Sequence, residues 1–202
     1  MRIDHVIYAS HDLAETSRRF EADYGLSSAG GGVHPKLGTC NTLIPVGDGQ
    51  YIELMAVADP ESTSFLVRGL TEVLERGERL FALSVAPDDL DATASRLGVP
   101  VTHGERRSTS GRVIRWRMAA LSVAAGPSHL PFFVDWGESD AELDTSINRD
   151  AEGIEWVELG GDEQTTRQWV GDGGSLPIRF AEGPPGPLAL GVRRGRETIV
   201  VR

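Results

Sequence analysis

Two openings in this chain repeat each other. Asp12-Leu13 is matched by Asp89-Leu90, Arg19 by Arg96 and Phe20 by Leu97, and every pair is separated by the same 77 residues. The identity is thin, but the order of helix cap, apolar positions and terminating glycine agrees. A unit repeated once at this spacing points to one supersecondary module used twice, each burying its apolar face against the other. That excludes most single-copy architectures before any element is assigned.

The first copy begins with Ile3 to Ala9, short and β-branched, which predicts a strand. Asp12 is placed to cap a helix, with Glu15 as its capping-box partner. Leu13, Phe20 and Tyr24 share one helical face and Gly25 is the stop. Gly30-Gly31-Gly32 reads as a flexible loop, with a further short strand near Val33. Thr39 to Pro45 and Gln50 to Val57 read as strands around the hairpin turn Val46-Gly47-Asp48-Gly49. Residues 59–78 read as a connector with helical composition over Thr71 to Gly77. The second copy then runs as strand (Arg79 to Ala86), helix (Asp88 to Leu97, stopped by Gly98) and three strands: Val101 to Arg107, Arg112 to Leu121 and Leu130 to Trp136. Residues 138–152 are polar and acidic and read as a linker. Beyond it lie a strand (Ile154 to Leu159), a helix (Asp162 to Val170) and two closing strands (Leu188 to Val192, Glu197 to Arg202), a third, shortened copy of the same logic. The expected fold class is therefore α+β: paired βαβββ modules, about 1–58 and 79–137, forming a curled mixed sheet around a cleft. Residues 1–137 make one two-module domain, and 150–202 a partial βαββ module packed on it.

Glycine is frequent, 24 of 202 residues, which suits a hairpin-rich chain. The 30 acidic residues outweigh 20 basic ones, for a formal charge of −10, so nucleic acid is not an expected partner. All basic residues but Lys36 are arginine, which leaves little room for Schiff-base chemistry. The lone Cys40 cannot form an internal disulfide, as expected in a reducing cytosol. No apolar run has the length of a membrane span or a signal peptide, so no membrane partner is expected and a cytoplasmic location is. Glycine-rich phosphate loops, a nucleophile elbow and C-x-x-C are all missing from the sequence.

Asp4-His5-Val6-Ile7, His34-Pro35, Gly38-Thr39, Asn41, Leu43-Ile44-Pro45, Gly47-Asp48-Gly49 and Tyr51-Ile52-Glu53-Leu54 in the first copy resemble the vicinal oxygen chelate superfamily, and its glyoxalase-like branch above all. Gly111, Arg115-Trp116 and Pro131-Phe132-Phe133-Val134-Asp135-Trp136 carry the resemblance in the second. It covers residues 1–137 well and the tail loosely. The resemblance implies two modules curled around one cleft, often with a divalent metal held by His and Glu, two ligands from each module. His5 and Glu53 fall where the first module's ligands belong. At the 77-residue offset His5 is matched by Ala82, which cannot bind metal, and Glu53 by a residue of 131–136, with Phe133 the expected one. Asp135 is a weak third candidate. Two protein ligands suit zinc poorly, so no cofactor is expected, although Mg²⁺ tolerates fewer.

Three readings of His5 and Glu53 stay open: a metal pair, a metal-free polar pair in a cleft, and a satisfied structural pair. In the metal-free reading the two form a general acid/base pair suited to proton abstraction beside a carbonyl. Asn41, pointing the same way as Glu53, would supply as a hydrogen-bond donor the enolate stabilisation that a metal otherwise gives. His34, in a glycine-rich loop and therefore expected to be partly exposed, Trp116, Phe133 and Trp136 are the candidate ligand-binding residues, with Arg115 as a clamp for a carboxylate. His11, His103 and His129 carry no assigned role, and Cys40 reads as a small apolar residue. The function this implies is a glyoxalase-like small-molecule enzyme with a degenerate or absent metal site, doing lyase- or isomerase-type proton transfer. The alternative is a non-catalytic protein that binds or sequesters a small molecule in the same cleft. The implied partner is a small-molecule ligand, and a homodimer stays open.

Overall fold

In the computed structural model, which describes residues 1–139, 141–171 and 174–202, each copy forms one strand, one helix and three more strands. Asp140, within the expected linker, and Asp172 and Gly173, within the tail unit, lie outside the described residues. The first copy comprises β1 (Arg2–Ala9), α1 (Leu13–Tyr24), β2 (Ala29–His34), β3 (Thr39–Gly47) and β4 (Gln50–Val57). After α2 (Phe65–Leu74), the second comprises β5 (Arg79–Ala86), α3 (Leu90–Leu97), β6 (Val101–Ser108), β7 (Val113–Ala119), the short α4 (Leu121–Ala124) and β8 (Phe132–Asp135). The two helix openings are alike in detail. Asp12 accepts from the backbone N–H of Ala14 and Glu15, Asp89 from that of Ala92, and each helix ends on a left-handed glycine, Gly25 or Gly98.

The eight strands close into a barrel in the order β1-β4-β3-β2-β6-β7-β8-β5. Each copy thus contributes four neighbouring strands whose first member pairs in parallel with its last, β1 with β4 and β5 with β8. The copies meet antiparallel at two seams, β1–β5 and β2–β6. At the first seam His5 pairs with Ser84, Val6 with Leu83 and Ile7 with Ala82. The central pair is itself separated by 77 residues, and the flanking pairs exchange roles about it. The repeat seen in sequence is therefore a two-fold relation in the register of the sheet.

Several local expectations need correction. Gly30-Gly31-Gly32 is not a free loop but the body of β2, squeezed between β3 and β6. A Cβ at Gly31 would overlap the Asn41 carbonyl, and one at Gly32 the Arg107 carbonyl, so only glycine lets β2 fit the seam. Helix α2 starts at Phe65, capped by Ser64, because Leu66, Val67, Leu70 and Leu74 form a buried stripe. The tail is β9 (Ala151–Gly160), α5 (Glu163–Val170), β10 (Ile178–Phe180), β11 (Gly186–Arg194) and β12 (Glu197–Val201). Its sheet order, β10-β9-β11-β12, differs from that of the modules: its first strand lies inside the sheet and pairs with the strand just after the helix. Its element order, strand, helix and then strands, follows that of the modules, but its sheet is open and differently wired.

That second sheet shares the barrel's core: Val157, Leu159, Leu190 and Val192 pack in one cluster with Ile3, Val6 and Val85. Three polar ties reinforce the joint. Gln50 donates to the Ile3 carbonyl at 2.9 Å and accepts from the Ile154 N–H at 2.7 Å. Arg96 donates to the last carbonyls of α5, Gln168, Trp169 and Val170, and Arg194 donates to the Gly25 carbonyl after α1. The expected linker is not loose either. Ala141 and Leu143 pack with Leu43, Tyr51 and Trp136 over one end of the barrel. No helix of the described residues is long and apolar enough to cross a membrane.

Candidate functional site

Inward-facing residues of the barrel alternate along each strand. On β1 and β4 they are His5, Ile7, Tyr51, Glu53 and Met55, on β3 Asn41, and on β8 Phe132 and Val134. They line a narrow pocket of about 490 Å³ that is partly open to solvent.

At its base is a chain of polar groups. Glu53, 6% exposed, accepts from Asn41 Nδ2 at 2.6 Å through Oε1. Its Oε2 lies 3.4 Å from His5 Nε2, and His34 Nε2 is 4.0 Å from Oε1. His5, 4% exposed, meets the carboxylate of Asp4 through Nδ1 at 2.7 Å. With Nδ1 donating to the Asp4 carboxylate, the other ring nitrogen, Nε2, is turned towards Glu53 Oε2. Asp4 is itself buried. Trp136 Nε1 donates to it at 3.3 Å and Arg2 Nη2 lies 3.5 Å away. Two neighbouring residues of a regular strand face opposite ways. Asp4 and His5 can meet because β1 carries a bulge there: Ile3 pairs with Val85, His5 with Ser84, and Asp4 is the extra residue.

Rings hold this chain in place. His5 stacks on Tyr51, with centroids 4.5 Å apart and planes 15° apart, and meets the edge of Phe132. His34 meets Trp116 edge-on, and Trp116 lies 5.3 Å from Trp136. Trp116 fits only because its cross-strand partner is Gly104, where a Cβ would overlap the indole. Burial, with Arg106 and His5 adding to it and Glu53 opposing it, lowers the His34 pKa from 6.5 to about 4, so His34 is neutral at physiological pH. Burial also raises the Tyr51 phenol well above its usual range.

His5, Glu53, Asn41, His34, Trp116 and Trp136 are thus gathered around one pocket. Three expected residues are elsewhere. Phe133 points away from the barrel interior into the outer core, because β8 is in register with Phe132 and Val134 inward. Arg115 projects outward beside Glu105, 3.7 Å away, on the opposite face from Trp116. Asp135 faces outward too, 3.4 Å from Arg117 and accepting from the Gly137 N–H, too far round the strand to join His5 and Glu53. His34 is not an exposed loop residue: it ends β2, is 3% exposed and bonds Thr39 Oγ1 at 3.0 Å.

Two residues of the site escape a reading of the sequence. Asp4 stands behind His5, outside the pocket lining, and meets it through the bulge, which has no local signature. Arg106 lines the pocket and is 3% exposed. It lies inside an arginine-rich stretch that reads as a surface patch. Its alternation with Gly104 and Ser108 on β6 is the one signal that separates it from its neighbours.

The donor set does not fit a divalent metal held by both modules. Glu53 pairs in register with Ile7, whose two-fold equivalent is Ser84, and Ser84 pairs with Phe132. The second module's equivalents of His5 and Glu53 are therefore Ala82 and Phe132, and neither has a donor atom. The Arg106 guanidinium lines the same space, which further disfavours a dication. Among the described residues no group of three or more His, Cys, Asp or Glu is arranged to hold a metal ion.

A family model described as a glyoxalase-like domain matches residues 3–172. A hypothetical protein from Staphylococcus aureus is similar in structure, at a TM-score of 0.73 and 18% identity, over 97% of this chain and 92% of that one. A methylmalonyl-CoA epimerase from Streptomyces coelicolor is 24% identical over 70% of this chain and 98% of its own, at a TM-score of 0.49. One from Mycobacterium tuberculosis is 22% identical over 66% and 85%, at 0.46. At such identities the likeness concerns the fold alone. No curated protein matches the chain.

Proposed function

The chain belongs to the glyoxalase-like domain family, and from that premise we propose that its barrel is the site of a small-molecule enzyme that moves a proton at a carbon beside a carbonyl, using side chains alone. The observation that carries this reading is the row of polar groups Asp4–His5–Glu53–Asn41, hydrogen-bonded at its two ends and joined by a 3.4 Å contact between His5 Nε2 and Glu53 Oε2, at the base of a largely apolar pocket. Glu53 is the base that takes the proton from carbon. His5 shares that proton through Nε2, and Asp4 steadies the imidazole from behind. Excluding bulk water strengthens each of these interactions. Asp4 is a positioning residue, since it reaches the pocket only through His5.

The test uses branched and linear 2-oxo acids in D₂O: 2-oxobutanoate, 3-methyl-2-oxobutanoate and 4-methyl-2-oxopentanoate. Deuterium at C3 is followed by NMR with wild-type protein and with Glu53→Gln. Wild type should accelerate exchange for at least one acid, and Glu53→Gln should lower that rate at least about a hundredfold, the usual worth of a positioned base. Exchange surviving in Glu53→Gln sinks the assignment. Binding of these acids without any exchange favours the sequestering alternative over the enzyme.

A further inference from the structure

We infer that the pocket is built for a small organic anion, whose carboxylate or equivalent oxyanion is held by Arg106 while an apolar body lies against the apolar walls. This deepens the small-molecule reading of the same pocket and rests on it. Arg106 carries a permanent charge and five N–H donors, yet it is 3% exposed. Among the described residues its hydrogen-bond partner is the Ala141 carbonyl, 2.8 Å from Nη2, and Nε is buried without a partner among them. No carboxylate of a described residue lies within 4.0 Å of it, and the pocket's buried carboxylates face other groups: Glu53 meets Asn41 and His5, and Asp4 meets His5, Trp136 and Arg2.

A buried charge without a counter-ion is costly, and a site that keeps one is poised for a charge that arrives from outside. A second orphan points the same way. Asn41 spends its amide nitrogen on Glu53, which leaves Oδ1 buried beside the same space with no partner among the described residues. An acid that also carries a hydroxyl or N–H would satisfy both groups. One guanidinium suits a monoanion better than a phosphate dianion, and the apolar walls, with Met55, Leu121 and Phe132 among them, suit a hydrocarbon body.

The test compares the three 2-oxo acids above with their methyl esters, and with inorganic phosphate, by titration calorimetry. The ester keeps the shape of the acid and loses the charge, so wild-type protein alone decides the first arm. The acid should bind at least about thirtyfold tighter than its ester, the scale of a desolvated charge pair. Arg106→Met should abolish that preference and Arg106→Lys should retain part of it. The inference is overturned if ester and acid bind alike, if the preference survives in folded Arg106→Met, if phosphate outbinds every acid, or if no acid binds. Its failure is separable from that of the enzyme reading. An acid preference without deuterium exchange leaves the anion site standing and removes the chemistry. Exchange that is equal for acid and ester does the reverse.

Discussion

Replacing His34 with Asn should flatten part of the acid dependence of stability. Folded His34 titrates near 4, lowered first by burial and then by Arg106 and His5 against the opposing pull of Glu53. In the unfolded chain it titrates near 6.5. Between those values the unfolded chain holds a proton that the folded protein refuses, so stability is fully present above about pH 6.5 and falls as pH drops towards 4. The interval corresponds to about 3 kcal/mol at 1.36 kcal/mol per pH unit, an order-of-magnitude figure. Asn keeps a donor near the position of Nδ1 for Thr39 and has no proton to gain. Urea unfolding at pH 7.5 and 4.5 would measure it. Wild type should lose about 2–3 kcal/mol more than His34→Asn between the two, or about 1 M in midpoint at a slope of 2–3 kcal/mol/M. Carboxylates remote from His34 titrate in both proteins and cancel in the difference. Parallel losses in the two proteins would mean that His34 is hydrated in the folded state, and the burial argument would fail with it.

Gly104→Ala should cost about 1–3 kcal/mol, because the new methyl overlaps Trp116. Thermal unfolding would show the cost, and most of it should vanish when Trp116→Leu is added. Gln50→Ala should lose roughly 1–3 kcal/mol by leaving the Ile3 carbonyl and the Ile154 N–H buried and unpaired; a midpoint within error of wild type would show that water replaces the amide. Asp4→Asn should slow deuterium exchange into the 2-oxo acids about tenfold or more by presenting a donor to His5 Nδ1, with ligand affinity little changed. An unaltered rate would detach Asp4 from the chemistry.

The repeat carried much of the architecture into view because caps and glycine stops obey local rules: Asp12 and Asp89 cap, and Gly25 and Gly98 stop, by the chemistry of one turn. His5, Asn41 and Glu53 were legible for a similar reason. The hairpin at Gly47–Gly49 sets β3 against β4 with Leu43 opposite Glu53, and alternation does the rest. What escaped depended on register without alternation. Pro131-Phe132-Phe133-Val134 is apolar throughout, so nothing local tells inward from outward, and a slip of one residue exchanged Phe133 for Phe132. Asp4 depends on a bulge fixed by the neighbouring strand of the other module. Gly31 and Gly32 looked loose because their reason, contact with the backbones of Asn41 and Arg107, lies across two strand pairs and is not written beside them.

The two seams of the barrel are unequal. The β1–β5 seam runs the length of both strands, from Arg2 opposite Ala86 to Ala9 opposite Arg79. The β2–β6 seam is joined at Gly32 opposite Ser108 and Val33 opposite Arg107 alone. The second seam is thus the shorter joint, held by fewer ladder hydrogen bonds. His34 and Arg106 stand on its two sides, on β2 and β6, whereas Asp4, His5 and Glu53 lie on β1 and β4 beside the long seam. The polar row is therefore anchored where the barrel wall is most continuous, and the guanidinium sits where it is least so.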